Sequence, residues 1–170
     1  MEAIETILTR RSVRKFTDEK ISDEEIKKLL EAAFAAPSGM NDQPWHFVVV
    51  KSEENLKKVR DLMMFGKYEC PIIIIPCVNN GKALPFRAHN LAYCDLGAAT
   101  ENILLAAHAL GLGAVWCAIY PDENKSNKIA KELGLKSNIK PYSAIYIGHI
   151  SPDDKGQIKN KFNESKFEII

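Results

Sequence analysis

The chain lacks an excess of charge of either sign: 23 lysines and arginines stand against 22 aspartates and glutamates, for a formal net charge of +1. That balance removes the electrostatic case for nucleic acid as the main partner, because such proteins gather cations against phosphates. It equally removes the case for an anionic membrane surface. Long apolar runs are also missing, and the longest fall far short of the roughly 20 residues that span a bilayer. No basic stretch followed by an apolar one opens the sequence, so no secretory signal is expected. Four cysteines, at 70, 77, 94 and 117, form no CxxC pair and no His/Cys cluster. They read as four buried thiols in a reducing compartment, which makes the cytoplasm the default setting. The four histidines, at 46, 89, 108 and 149, show no metal-ligand spacing, so no metal is expected. G-x-S-x-G, H-E-x-x-H, Walker A and G-x-G-x-x-G are all absent, which argues against a hydrolase elbow, a zincin and a dinucleotide-binding fold of the usual kind.

What is present is an orderly alternation of helical and extended patterns in a length, 170 residues, that fits one domain. Ile4, Ile7 and Leu8 recur at helical spacing, predicting a short helix over residues 2 to 11. Ser22-Asp23-Glu24-Glu25 is a capping box, and Ile26, Leu29, Leu30, Ala33 and Phe34 form the apolar face behind it. Pro37 and Gly39 end that helix. Residues 46–50 and 72–75 read as buried strands, the second bracketed by Pro71 and Pro76. A helix with Leu56, Val59 and Met63 inward lies between them. From about His89 to Leu110 apolar residues spread around most of a helix, which predicts burial on most sides, in a core or against a second subunit. Strands over 114–119 and 143–147 flank a modest helix at 123–133. A polar tail of about 20 residues closes on Phe167-Glu168-Ile169-Ile170, an apolar end that either frays or docks as an edge strand. The sum is a sheet covered by helices.

Three segments carry candidate chemistry. Arg10-Arg11-Ser12-Val13-Arg14-Lys15-Phe16 places three arginines and a serine where a helix gives way to extended chain. Guanidinium forks with a hydroxyl suit a phosphate dianion; alternatively Arg10 and Arg11 merely complement a helix C-terminus. Pro37-Ser38-Gly39-Met40-Asn41-Asp42-Gln43-Pro44-Trp45 is a rigid polar loop presenting Ser38, Asn41 and Gln43. It suits a planar heteroaromatic ligand, or it is a connector that seats Trp45 in the core. Gly111 to Ala118 allows close backbone approach to a ligand face, or is a helix cap running into a core strand.

In this order, along a chain of this length, the three segments resemble the nitroreductase-like flavoproteins. Arg10 to Phe16 stands where that family has Arg-Arg-Ser-x-Arg-x-Phe. Pro37 to Trp45 matches its Pro-Ser-Gly-x-Asn-x-Gln-Pro-Trp. Asp95 through Trp116 matches its Ala-rich helix leading into Gly-Leu-Gly and a Trp-bearing strand. The resemblance covers nearly the whole chain. It implies an α+β fold with a mixed, mostly antiparallel sheet flanked by helices, in one domain over residues 1–170. It implies an interlocked homodimer that exchanges C-terminal arms, here about residues 151–170, and FMN bound at the dimer interface.

Carried over residue by residue, the resemblance makes Arg10 and Ser12 phosphate ligands, with Arg11 beside them. Arg14 becomes the cation near the flavin's pyrimidine edge. Pro37, Ser38, Gly39, Asn41 and Gln43 line the ring, partly from the partner subunit. The backbone of Trp116, Cys117 and Ala118 lies along it, and Lys159 or Lys161 completes the phosphate site. Hydride passes from NADH or NADPH through the flavin to a small-molecule acceptor such as a nitroaromatic or a quinone, with no side chain as general acid or base. Reductive dehalogenation, oxygen-dependent flavin chemistry, a non-catalytic flavin-storing module and a phosphorylated ligand of another kind are the alternatives. The sequence departs from the pattern in three places: Phe65 to Cys70 leaves little room for a helical lid, Gly148-His149-Ile150 replaces a Gly-aromatic-Pro step, and lysine replaces a late arginine.

Overall fold

Ser22 starts a helix in the way its neighbours dictate. Its hydroxyl accepts from Glu25 N at 3.2 Å and its own amide donates to Glu25 Oε2 at 2.8 Å, so two amides that a helix end leaves orphaned are satisfied reciprocally. The computed structural model describes residues 2–81 and 91–170. In chain order these hold α1 (Ala3–Thr9), α2 (Asp23–Phe34), β1 (Trp45–Val50), α3 (Glu53–Leu62), β2 (Ile72–Asn79), α4 (Leu91–Ala109), β3 (Leu112–Ala118), α5 (Glu123–Glu132), β4 (Ile139–Pro141) and β5 (Ser143–His149). The predicted start of the long helix at His89 lies outside the described residues.

The five strands form one sheet in the order β1-β2-β5-β3, with β4 also on β2, and every strand pair is antiparallel. An isolated parallel bridge from Ser12 to Ala114 makes the sheet mixed. The period-2 alternation of strands divides the core in two. Ile73, Ile75, Cys77, Ala144 and Tyr146 face α3 and α5. Ile72, Ile74, Ile145 and Ile147 face α2 and α4. Both central strands are therefore buried on both sides, which is why they read as unbroken apolar runs.

Several expectations need correction. β2 does not stop at Pro76 but continues to Asn79. Proline is tolerated there because β2 changes partner at that point, from Ile74↔Ile145 in β5 to Cys77↔Pro141 in β4. The Pro76 carbonyl accepts from Tyr142 N in the gap at 2.8 Å, so no ladder donor is lost. The short strand β4, ending on a proline, was not anticipated. The helix α1 is present, but Ile4, Ile7 and Leu8 lie on its exposed side and Thr6 is its buried residue. Phe34 is half exposed and meets Phe47 edge-on at 5.1 Å. Only two of the four cysteines are buried; Cys117 is half-buried and Cys94 exposed, and all four are free thiols. α4 does show the expected many-sided burial: its only exposed residues are Leu91, Cys94 and Ala109.

Candidate functional site

The chain leaves α1 at Arg10 and crosses the outer edge of β3 towards the end of β5. Val13 N donates to Ala114 O at 3.0 Å, and Thr17 N donates to His149 O at 2.9 Å. Two glycines paired across the ladder, Gly113↔Gly148, make room for this crossing. A Cβ at Gly113 would stand 2.6 Å from Val13 Cγ1, and one at Gly148 would stand 2.9 Å from Phe16 Cβ. The close approach predicted at Gly113 is thus made by Val13. Gly111, at φ +79°, ends α4 as expected.

This crossing sets the Arg10–Arg14 segment as one wall of a cavity of about 960 Å³. The opposite wall is the root of the C-terminal tail, including Gly156, Lys159 and Lys161. Five of the predicted cations therefore meet around one cavity, together with the Ser12 hydroxyl. Two of the five are already neutralised. Arg10 Nε lies 3.1 Å from Glu101 Oε1, and Arg11 Nη1 is bound to Asp154 Oδ1. Among the described residues the side chains of Arg14, Lys159 and Lys161 have no carboxylate partner within ion-pair distance, and the Ser12 hydroxyl has no hydrogen-bond partner. Three uncompensated cations and a free hydroxyl are a donor set for a dianion, and a phosphate monoester fits it.

Arg14 also lines a second cavity, of about 430 Å³, against Trp116, Cys117 and Ala118 of β3. The 63–70 loop covers its other side. Gly66, at φ +83°, is so close to Cys117 Sγ that a side chain has no space there. Burial pushes the Cys117 thiol up to about 11, with Arg14 drawing it partly back, so it stays protonated at neutral pH. The short segment after Met63 forms this roof with exposed Met64 and Phe65, in place of a helical lid.

The loop 37–43 is stiff. Met40, Asn41 and Gln43 all take positive φ, at 53°, 56° and 50°, a conformation costing of order 1 kcal/mol or more at each residue with a side chain. Hydrogen bonds hold it: Gly39 N to Asp95 Oδ1 at 3.0 Å, Gln43 N to Ser38 Oγ at 3.0 Å, and Gln43 Nε2 to Asn41 Oδ1 at 3.1 Å. The last bond leaves Asn41 Nδ2 and Gln43 Oε1 as an adjacent donor and acceptor. Among the described residues lining the two cavities, none comes from this loop. The chain thus brings together its first and third candidate segments and keeps the second apart.

A family model, the nitroreductase family, matches residues 7–67 and 64–149. The chain belongs to the nitroreductase family. It is 39% identical over 168 residues, 97% of this chain and 95% of the other, to a provisionally named NADH dehydrogenase/NAD(P)H nitroreductase of Archaeoglobus fulgidus. The crystal structure of a protein provisionally named in the same way, from Parabacteroides distasonis, superposes with a TM-score of 0.88 at 37% identity, covering 98% of this chain and 96% of that one. A provisionally named nitroreductase of Desulfovibrio desulfuricans, solved in complex with FMN, superposes with a TM-score of 0.80 at 30% identity, covering 93% and 91%.

In this nitroreductase-family chain two carboxylates beside the first cavity were not anticipated from the sequence, Glu101 and Asp154. Asp154 is the better satisfied. Besides Arg11, it accepts from Arg14 N at 2.9 Å, Lys15 N at 3.2 Å and Gly156 N at 3.1 Å. Burial pushes its pKa up, but these four donors prevail and hold it at about 2, against 3.8 for an ordinary aspartate. Because the folded value is the lower one, the carboxylate's stabilisation is complete above pH 3.8 and disappears as pH falls towards 2. We expect D154N to be less stable than the parent at neutral pH and to lose less on acidification across that window. Far-ultraviolet circular dichroism during acid titration of both proteins checks this, and parallel profiles would count against it.

Proposed function

We propose that this protein is an FMN-dependent oxidoreductase that takes hydride from NADH or NADPH and passes electrons to a small acceptor. The observation that carries the reading is the cavity ringed by Arg10, Arg11, Ser12, Arg14, Lys159 and Lys161, in which three cations lack a counter-ion. It has the volume of a cofactor site and continues through Arg14 into the cavity along β3. When bound, FMN supplies two-electron chemistry, accepting hydride from the nicotinamide and reducing a nitroaromatic, a quinone or a similar flat acceptor.

The chain's own residues bind and orient. Arg10 and Ser12, with Lys159 or Lys161, hold the phosphate. Because Arg10 Nε is turned to Glu101, its two Nη groups are the ones left for the ligand. Arg14, between the two cavities, favours negative charge on the reduced ring without moving a proton. The backbone of Trp116, Cys117 and Ala118 lies along the ring. No side chain serves as general acid or base.

The protein works as a cytoplasmic homodimer with exchanged C-terminal arms, and its single domain spans residues 1–170. Exposed Ile4, Ile7 and Leu8 on α1, and Phe162, Phe167 and Ile169 on the tail, support this reading, since they are apolar groups without cover in one copy. In the dimer the loop of Pro37, Ser38, Gly39, Asn41 and Gln43 meets the flavin of the other copy. Its paired donor and acceptor match the alternating amide edge of such a ring.

The test is the visible spectrum of the purified protein, followed by anaerobic titration with NADH and then NADPH. We expect a yellow protein that bleaches with at least one donor. A colourless protein with no flavin affinity removes the proposal; a yellow protein that neither donor reduces leaves flavin binding without the enzyme.

A further inference from the structure

We propose that Asp154 is a positioning residue: a latch that closes the tail against the arginine segment and so gives the site its preference for a phosphorylated ligand. This rests on the reading of the cavity as a phosphate site. The two walls of that cavity come from opposite ends of the chain, and one carboxylate touches both. From the tail, Gly156 N donates to Asp154 Oδ1; from the other wall, the Arg11 side chain and the amides of Arg14 and Lys15 donate to the same carboxylate. The Asp154 side chain is only 7% exposed, although every residue from 155 to 170 is exposed. Among the described residues the hydrogen bonds and ion pairs of residues 155–170 tie them to the rest of the chain only at Asp154, apart from a local bond from Lys155 Nζ to Pro152 O at 2.8 Å, and none of them reaches the arginine segment directly. The direction in which the tail leaves, and with it the placing of Lys159 and Lys161 across from Arg10, is therefore set at this point.

Gly156 belongs to the same device. A Cβ there would collide with Arg11 Nη1 and stand 3.1 Å from Asp154 Oδ1. A free guanidinium tip would swing away, but this one is pinned by the carboxylate it would have to leave. The absence of a side chain at residue 156 thus lets Arg11 lie against the tail. Arg11 acts through this contact: it neutralises Asp154, so the latch adds no net negative charge to a cavity meant for an anion. Asparagine at 154 keeps one acceptor, but it weakens the bonds that gain from ionisation and leaves Arg11 uncompensated.

The experiment compares FMN with riboflavin, which lacks the phosphate, by quenching of flavin fluorescence on titration with the full-length protein. D154N should weaken FMN about tenfold or more, the scale of one lost charge-assisted hydrogen bond, with riboflavin nearly unchanged. D154E should restore part of the loss. G156A, which leaves every hydrogen-bonding group in place, should shift the FMN-to-riboflavin ratio in the same direction. In parallel, trypsin should cut D154N faster than the parent at Lys155, Lys159 and Lys161, and FMN should slow the cutting. Equal loss of both flavins, or an unchanged ratio in D154N and G156A, overturns the proposal; if D154N does not fold, the G156A ratio decides. If the parent protein binds neither flavin, the functional reading has failed. The latch is then judged by trypsin alone, upheld by faster cutting of D154N and overturned by equal cutting.

Discussion

Replacing Arg10 with alanine is expected to weaken FMN by about 100-fold while leaving the fold intact. A charge-assisted hydrogen bond is worth about 1.5–3 kcal/mol, which converts to roughly 10- to 150-fold in affinity, and Arg10 offers a fork of two Nη groups. The protein should tolerate the loss because the stranded partner is not deeply buried: the Glu101 side chain is 43% exposed and rehydrates. Riboflavin affinity should change little, since the lost contact is to the phosphate. R14A should behave differently. Arg14 lines both cavities, so its removal should weaken FMN and riboflavin together, and should make the bound flavin harder to reduce by removing a cation beside the ring. Fluorescence titration with both flavins and thermal melts of both variants separate these effects. Unchanged flavin affinity in both variants refutes the assignment of the site.

Much of this site was legible because its residues are close in sequence. Arg10, Ser12 and Arg14 fall within five residues, whereas the strained loop, announced just as plainly by Pro37, Gly39 and Pro44, lines neither cavity. The capping box at Ser22 and the alternation of β2 and β5 are local patterns as well, and they fix the layers. What was not legible depends on partners far away along the chain. The Arg11–Asp154 pair joins residues 143 positions apart, and nothing around Asp154 distinguishes it from the neighbouring Asp153. Proline at 76 looked like a strand end because the rule concerns ladder donors, and no local pattern reveals that β2 changes partner there. The exposed apolar side of α1 was legible as a helix face but not as an uncovered one, because periodicity tells which residues share a side and not what lies opposite.

Gly113→Ala is expected to destabilise the protein by about 2 kcal/mol, within the range for forcing extra methyl groups into packed sites. The added Cβ would face Val13 Cγ1 at 2.6 Å and Val13 Cβ at 2.8 Å, and Val13, 3% exposed, cannot turn out to solvent. For a chain of this size such a loss lowers the melting temperature by roughly 4–8 °C. Gly148→Ala should cost a similar amount, since its Cβ would meet Pro71 Cδ at 2.8 Å and Phe16 Cβ at 2.9 Å. Because the two glycines face each other in the ladder and carry the same crossing segment, the double variant should lose less than the sum: once the segment is lifted at one point, little remains to crowd at the other. A double-mutant cycle with Val13→Ala tests the cause. Removing the Cγ atoms should make G113A cheaper in that background, whereas G111A, strained by its φ of +79° with nothing within 4 Å, should cost the same with or without Val13. Both glycine variants should also bind FMN less well, because the lifted segment carries Arg10, Ser12 and Arg14. Urea melts that place G113A within 0.5 kcal/mol of the parent, or show no coupling to Val13, would mean that the crossing segment does not depend on the glycine pair beneath it.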